Sequence, residues 1–271
     1  MRNGLVVVLA SCISILLMLV SSVNSLTLTP PHNRAGLPYP AEGYRGDVQL
    51  KEASVTLDIN SSWSEIPGYA RLYSFAISHK ARYVFENRGN FTVIEIRIPV
   101  AARGSDLTFK LDGVKENYTE IEHVQEIDPY SGATVDIMIC IFSVPFSAQA
   151  QRTIEVNAKQ FGARASQYFY LMKNASRWMK PIEEFSVVLN LRNAEFKGST
   201  INPTTQRTDG ATWNITNLTP SSDLVLYWQI RDPPQSINLT LVAIIIVVAA
   251  VVTIVGLKKW LHSSSSSSSS S

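Results

Sequence analysis

Two uninterrupted apolar runs enclose a long stretch in which apolar and polar residues alternate over short distances. The first run, residues 5–20, follows Arg2, and the second, residues 237–257, ends at Lys258 and Lys259. Between them turn-forming residues are frequent, and no long period of 3.6 residues is present. This pattern predicts short strands between two hydrophobic segments.

The strands are predicted from alternation and from the turns that separate them. In residues 94–98 isoleucines alternate with charged residues, which is typical of a half-buried strand. Residues 48–59 alternate in the same way with a slip near Ala53, and Asp112-Gly113 predicts a hairpin turn. Further strands are predicted at residues 72–77, 81–85, 107–111, 135–142, 153–156, 168–171, 185–191, 211–216 and 224–230.

These elements predict an all-β ectodomain made of one or two antiparallel immunoglobulin-like sandwiches. A boundary near residues 160–166 would divide a first unit, 47–160, from a second, 161–231. The alternative is one larger sandwich that continues through 161–231. Residues 26–46 contain four prolines and no apolar period, which indicates an extended, weakly ordered leader.

The second apolar run has the length and composition of a transmembrane helix. Residues 237–257 contain no ionisable side chain, and about 20 helical residues cross the ~30 Å hydrocarbon core. Lys258 and Lys259 place the following residues, 258–271 with their serine run, in the cytoplasm. A buried core helix and a lipid-anchor signal are the alternatives, and the polar tail argues against the second.

The first run predicts a secretory signal peptide over residues 1–25, with cleavage before Leu26. An uncleaved N-terminal anchor is the alternative. In both cases the middle of the chain is exported, which predicts a single-pass type I protein of the cell membrane. The N-terminal domain would lie outside, and a short stalk, residues 232–236, would hold it close to the bilayer.

Charge and cysteine content argue against nucleic-acid binding and against an intrachain disulfide. Removing Arg2, Lys258 and Lys259 from the 24 basic residues leaves 21 basic against 22 acidic residues in the exported part, which offers no electrostatic footprint for nucleic acid. Cys12 would leave with the signal peptide, so Cys140 would have no intrachain disulfide partner. We expect Cys140 to be a small apolar residue of a buried strand, with a nucleophile or an intermolecular disulfide as alternatives.

The four exported tryptophans are expected to be core anchors, with exposed binding aromatics as the alternative. They are Trp63, Trp178, Trp213 and Trp228.

The Asn-x-Ser/Thr sequon is the motif that recurs in the exported part. We expect N-glycosylation candidates where the asparagine falls near a turn or strand edge. The candidates are Asn60, Asn90, Asn117, Asn174 and Asn214. The sequon also occurs at Asn217, too close to Asn214 for both to be used, and at Asn238, at the level of the lipid headgroups.

The sequence contains no catalytic, metal-binding or cofactor-binding motif that we recognise. The exported histidines are not at metal-ligand spacing. Acidic residues from Glu120 to Asp128 surround His123; a calcium or acid–base site is one interpretation, and a solvated loop or strand face is the favoured one. We therefore expect no enzyme activity, no metal and no cofactor.

One face of the membrane run carries small residues at i, i+4 and i+7, namely Ala249, Thr253 and Gly256. Small residues let two membrane helices approach closely, so this face is a candidate for helix packing.

Both halves of the ectodomain contain short motifs that carry a resemblance. The motifs of the second half are Tyr170-Leu171, Trp178, Pro181-Ile182, Phe185-Ser186-Val187-Val188-Leu189, Trp213-Asn214-Ile215, Leu218-Thr219-Pro220 and Leu224. Those of the first half are Phe85-Glu86-Asn87, Val93, Ile98-Pro99 and Asp112-Gly113. With these motifs most of the ectodomain resembles modules of uncharacterised secreted and surface proteins of prokaryotes. The resemblance implies a β-sandwich ectodomain and no activity.

The sequence therefore favours a glycosylated surface protein whose ectodomain is a non-catalytic binding or cell-envelope module with a protein or glycan partner. An accessory subunit of a membrane protein complex is the first alternative. An ectoenzyme with an unrecognised site is the second.

Overall fold

The chain folds almost entirely into β-strands. The computed structural model describes residues 34–64, 72–101, 106–127, 134–163 and 167–231. In these ranges sixteen strands and one short 3₁₀ helix are formed, so the all-β, sandwich-like prediction is confirmed. Among these residues no helix has the length and apolarity needed to cross a bilayer.

The strands are numbered in chain order. They are β1 (Arg34–Gly36), β2 (Tyr39–Pro40), β3 (Val48–Ser64), β4 (Leu72–Asn87), β5 (Thr92–Ala101), β6 (Asp106–Leu111), β7 (Val114–Glu116), β8 (Glu120–Ile127), β9 (Thr134–Phe146), β10 (Gln151–Ala163), β11 (Gln167–Leu171), β12 (Ile182–Arg192), β13 (Ala194–Ser199), β14 (Thr205–Arg207), β15 (Gly210–Leu218) and β16 (Leu224–Ile230). The 3₁₀ helix is Lys173–Arg177.

The strands form three sheets. The large sheet has the order β14-β15-β12-β3-β4-β10-β6-β7, the β9 sheet has the order β2-β5-β9-β8, and the β11 sheet has the order β1-β11-β16-β13. One hydrophobic core contains residues from all three sheets, among them Leu57, Cys140 and Tyr170. The inner face of the large sheet therefore packs against both smaller sheets.

The centre of the large sheet joins the two halves of the chain. Strand β12 pairs in parallel with β3, with nine residue pairs from Glu184↔Glu52 to Arg192↔Asn60. Residues 161–231 thus contribute strands to the same sheet and the same core as residues 47–160, and the described chain up to Ile230 forms one compact unit. The arrangement also differs from a purely antiparallel sandwich, since β1 pairs with β11 in parallel too.

Residues 34–40 are part of the core. The prediction that they belong to a weakly ordered leader is therefore wrong. Leu37 is fully buried, and its backbone N–H donates to the Leu171 carbonyl over 2.8 Å. The indole N–H of Trp178 donates to the Pro38 carbonyl over 2.9 Å. At Gly36 an added Cβ would lie 2.4 Å from the Leu171 oxygen, so β1 can approach β11 only because this residue is glycine.

Several local predictions are confirmed, and others need correction. A bulge between Leu50 and Glu52 produces the slip expected near Ala53. Asp112 and Gly113 have φ values of 49° and 82°, as a two-residue hairpin turn requires. The strands predicted at 72–77 and 81–85 are one strand, β4, because His79 points inward and continues the alternation.

Three of the four tryptophans are core anchors as predicted. Trp178, Trp213 and Trp228 are at most 5% exposed, whereas Trp63 is 39% exposed. Cys140 is fully buried in β9, which confirms its structural interpretation.

Several predicted segments lie outside the described residues. They are the signal peptide 1–25, leader residues 26–33, the stalk 232–236, the transmembrane run 237–257, the tail 258–271, Asn238, and the helix face of Ala249, Thr253 and Gly256.

A buried pair of tyrosines ties three segments together. The hydroxyl groups of Tyr83 and Tyr170 lie 3.0 Å apart, and the Tyr83 hydroxyl donates to the Gly36 carbonyl over 3.2 Å. These bonds connect β4 of the large sheet to β11 and β1. Burial raises the pKa of both hydroxyl groups, so they stay protonated.

We predict that Tyr83→Phe lowers the free energy of unfolding by about 1–3 kcal/mol, because it leaves the Tyr170 hydroxyl and the Gly36 carbonyl without this buried partner. Chemical denaturation of the two proteins measures the loss. Tyr118→Phe, at a position that is 40% exposed, is the control and should change stability by about 0.5 kcal/mol or less. Equal effects of the two substitutions would contradict this account.

Candidate functional site

The outer face of the large sheet is a polar surface. Along β3, residues 53, 55, 57 and 59 are buried, while the alternate residues 54, 56, 58 and 60 are half-buried or exposed. The same alternation continues in β12 and in β10. The side chains on this outer face are mainly Ser, Thr, Asn and charged groups, which suits hydrogen bonding to a polar ligand.

A groove of about 540 Å³ on this face surrounds a predicted glycosylation residue, Asn60. We call it the Asn60 groove. Six of the side chains that line it are Asp58, Asn60, Ala76, Lys159, Phe161 and Arg192.

Strand register explains how these residues meet. Asn60 on β3 pairs with Ala76 on β4, and Ala76 pairs with Phe161 on β10. On the other side Asn60 pairs with Arg192 on β12. The four residues therefore form one row across four strands, and the small side chain of Ala76 leaves its middle open.

A polar pair adjoins this row. The Asn190 amide donates to the Asp58 carboxylate over 2.8 Å, which orients both side chains on the outer face. Phe161 is 65% exposed, a large apolar side chain on an otherwise polar surface. The groove thus combines hydrogen-bonding groups, two cations and one aromatic ring.

A second groove of about 300 Å³ lies on the same face and contains Asn214. Its walls include Glu52 and Arg82, which form an ion pair at 3.6 Å, together with Ser186, the register partner of Asn214. Phe185 also lines it but is buried. This groove therefore resembles the Asn60 groove in polarity and lacks its exposed aromatic ring.

A cleft of about 310 Å³ lies where the free edge of the large sheet meets the β9 sheet, and Asn117 lines it. Its wall contains Phe109 and Phe142, whose ring centroids are 4.7 Å apart. Tyr118 packs edge-on against Phe109.

The remaining predicted asparagines lie at different places on the surface. Asn90 is exposed in the turn before β5, and Asn174 is half-buried in the 3₁₀ helix. Asn217, near the end of β15, is exposed and has a φ of 54°. The structure thus brings Asn60 and Asn214 to one face and keeps Asn90, Asn117 and Asn174 apart from it.

The acidic stretch around His123 forms strand β8, in agreement with the favoured interpretation of a solvated strand face. His123 Nδ1 lies 3.1 Å from Asp136 Oδ2, and Glu122 accepts a hydrogen bond from Arg97 over 2.7 Å. Across the described ranges no three His, Cys, Asp or Glu side chains are grouped as metal ligands would be.

The buried titratable groups of the core are held in their neutral forms. Burial raises the pKa of the Cys140 thiol to about 12, so the thiol is protonated at neutral pH and a poor nucleophile. Burial lowers the pKa of His79 to about 4, and neither of its ring nitrogens has a hydrogen-bond partner. His79 instead packs against the Tyr170 ring, with centroids 6.1 Å apart.

Sequence reasoning found Asn60 and did not find its neighbours in the groove. Phe161 and Arg192 are 101 and 132 positions away in the chain, and only strand register brings them together. The available signal was local: Phe161 occupies an outward position of β10, where a polar residue is usual.

Comparisons with known proteins bear on the fold alone. No protein-family model matches the chain, and no curated protein matches it. Among solved structures it is similar to a candidate nutrient-binding protein from Legionella pneumophila, at 13% identity and a TM-score of 0.50, over 74% of this chain and 71% of that one. This similarity supports the strand arrangement.

A weaker similarity is to an M1 zinc metallopeptidase from Deinococcus radiodurans. It has 12% identity and a TM-score of 0.33 for a variant of that enzyme, and it covers 68% of this chain. The matching region spans 42% of the peptidase chain.

The burial of neutral His79 predicts a loss of stability in acid. The pKa is about 4 in the folded chain and about 6.5 in the unfolded chain. Between these values the unfolded state takes up a proton and the folded state does not, so the free energy of unfolding falls as pH falls. From pH 7 to pH 4.5 this residue should remove about 2.5 kcal/mol.

The measurement is denaturation at both pH values for the wild type, for His79→Leu and for the exposed control His123→Gln. The leucine variant should lose about 2.5 kcal/mol less than the wild type over this range, and the control should follow the wild type. The same acid loss in the leucine variant as in the wild type would refute the prediction.

Proposed function

We propose that this chain is a single-pass type I protein of the cell membrane, N-glycosylated, with a β-sandwich-like ectodomain that acts as a non-catalytic binding or cell-envelope module. The exported orientation follows from the two apolar runs of the sequence and the lysine pair after the second. The proposal assigns binding to the outer face of the large sheet.

The observation that carries the proposal is the position of the sequon asparagines. Of the six that the structure describes, five are exposed and Asn174 is half-buried. A glycan is bulky and hydrophilic and needs a surface position. A buried asparagine could therefore not be glycosylated in the folded protein, even within a sequon. Asn60 and Asn214 lie in strands and not in loops, yet both point outward from the core.

Two titratable side chains of the core, Cys140 and His79, are unsuited to nucleophilic catalysis. Cys140 is buried with a raised pKa, and His79 is enclosed in the core without a polar partner. A nucleophile needs an accessible position and an adjacent base, and neither residue has both.

Isolation of the full-length protein from native membranes in mild detergent tests the proposal, with mass spectrometry of both the partners and the chain itself. We expect hexose-bearing peptides at one or more of Asn60, Asn90, Asn117, Asn174 and Asn214. Bare asparagines throughout would contradict the glycoprotein proposal. A stoichiometric membrane partner that survives washing would instead favour the accessory-subunit alternative.

A matched pair of variants locates the binding surface. Ser54→Arg places a large cation in the wall of the second groove of the outer face, and Ser147→Arg makes the same change at the exposed β9–β10 turn. Any soluble or glycan partner should bind at least about tenfold more weakly to the first variant and unchanged to the second. Equal binding to both variants would contradict the assignment to this face.

A further inference from the structure

We propose that the glycan attached to Asn60 occupies the Asn60 groove. The first sugars of this glycan lie over Ala76 and stack on Phe161. This inference rests on the proposed N-glycosylation and goes beyond it, because it assigns one site a structural role. The glycan is covalently attached to this chain, so the groove would not be open to a separate ligand.

The position of Asn60 inside the groove is the first argument. Asn60 is itself a lining residue and is exposed, so any glycan attached to its side chain begins within this space. Asn90, by contrast, lies in a turn. The first sugars on Asn60 are therefore next to the walls of the groove.

The row of residues that extends from Asn60 indicates the direction in which the glycan would lie. Ala76 is the direct register partner of Asn60, and Phe161 is the next residue in the row. Neighbouring strands lie about 4.8 Å apart, so the Cα atom of Phe161 is roughly 10 Å from that of Asn60. The methyl group of Ala76 forms a low floor between them, and the first sugars of a glycan span this distance.

The Phe161 ring can stack against a sugar of the glycan, and this contact would explain why the ring is exposed. The ring is 65% exposed on a polar face. One side of a pyranose ring presents C–H groups, which pack well against the negative face of an aromatic ring. A docked sugar would cover the ring and remove apolar surface from water.

The polar walls suit the hydroxyl groups of the same sugars. Lys159 and Arg192 line the groove as hydrogen-bond donors, and the Asp58 carboxylate is an acceptor already oriented by Asn190. This mixture of donors and acceptors matches hydroxyl groups, which act as both.

The second groove provides the internal comparison. Asn214 also lies on the outer face and in a groove, but among the described residues that line this groove the one aromatic side chain, Phe185, is buried. A glycan on Asn214 would therefore have no exposed aromatic ring to stack on and should remain mobile. The exposed aromatic ring distinguishes the two sites.

The test uses the full-length chain produced in a eukaryotic secretory cell that attaches N-glycans. The folded protein is treated with peptide N-glycosidase, and glycan release is followed at each asparagine by mass spectrometry. We expect release at Asn60 to be about tenfold slower than at Asn90, since one aromatic contact shifts a local equilibrium by about that factor. In Phe161→Ala the difference should largely disappear.

Met179→Ala is the matched control, because Met179 is also an exposed apolar residue, at 59%, and does not line the groove. It should leave the slow release at Asn60 unchanged. Since Phe161 is mostly exposed, its replacement by alanine should fold normally, which a thermal unfolding curve checks.

A second measurement uses stability. Asn60→Gln should lower Tm by about 2–4 °C in the wild-type background, and should have little further effect when Phe161 is already alanine, because the two residues act through one contact. Asn90→Gln should leave Tm unchanged.

Three results would overturn the inference. They are release at Asn60 as fast as at Asn90, slow release that persists in Phe161→Ala, and a bare Asn60 in a chain that carries glycans elsewhere. In each of these the proposed glycoprotein function would stand. A chain without any glycan would remove both proposals together.

Discussion

The parallel pairing of β12 with β3 is the contact on which the rest of the structure depends. Strand β3 has seventeen residues, and it is flanked by β4 on one side and β12 on the other. Without β12, the β3 edge would expose its backbone donors and acceptors, and β15 and β14 would lose their place in the sheet. The pairing also closes the core, because the buried side chains of β12, such as Val187 and Leu189, meet those of the two smaller sheets.

This arrangement explains why one face of the large sheet is left for function. The inner face is covered by the β9 and β11 sheets, so the polar side chains of the central strands lie on the outer face. Twist and small side chains on that face leave grooves where a row contains Ala or Ser. Asn60 and Asn214 lie in such rows, and the proposed glycan at Asn60 would cover the Asn60 groove. The second groove then remains as the part of this face that is open to a partner.

Local features could be predicted from the sequence, and long-range pairing could not. The slip near Ala53 and the Asp112-Gly113 turn are set by neighbouring residues, so their patterns were visible. The burial of residues 34–40 depends on contacts with Leu171 and Trp178, more than 130 positions away. The parallel register of β12 on β3 has no local signal either, because parallel strands are joined by distant crossovers and not by a tight turn. For the same reason Asn60 was found from its sequon, while Phe161 and Arg192 were not linked to it.

The most direct test of the single-core account compares unfolding in the two halves of the chain. Cys140 reports on the β9 sheet through thiol labelling, in a chain with Cys12 replaced by serine. Buried Trp178, Trp213 and Trp228 report on the second half through fluorescence, once Trp63 and Trp260 are replaced by phenylalanine. If all three sheets share one core, the two probes should show the same denaturation midpoint and the same slope. Labelling of Cys140 at a clearly different denaturant concentration from the fluorescence change would mean that the halves fold separately, and would contradict the account.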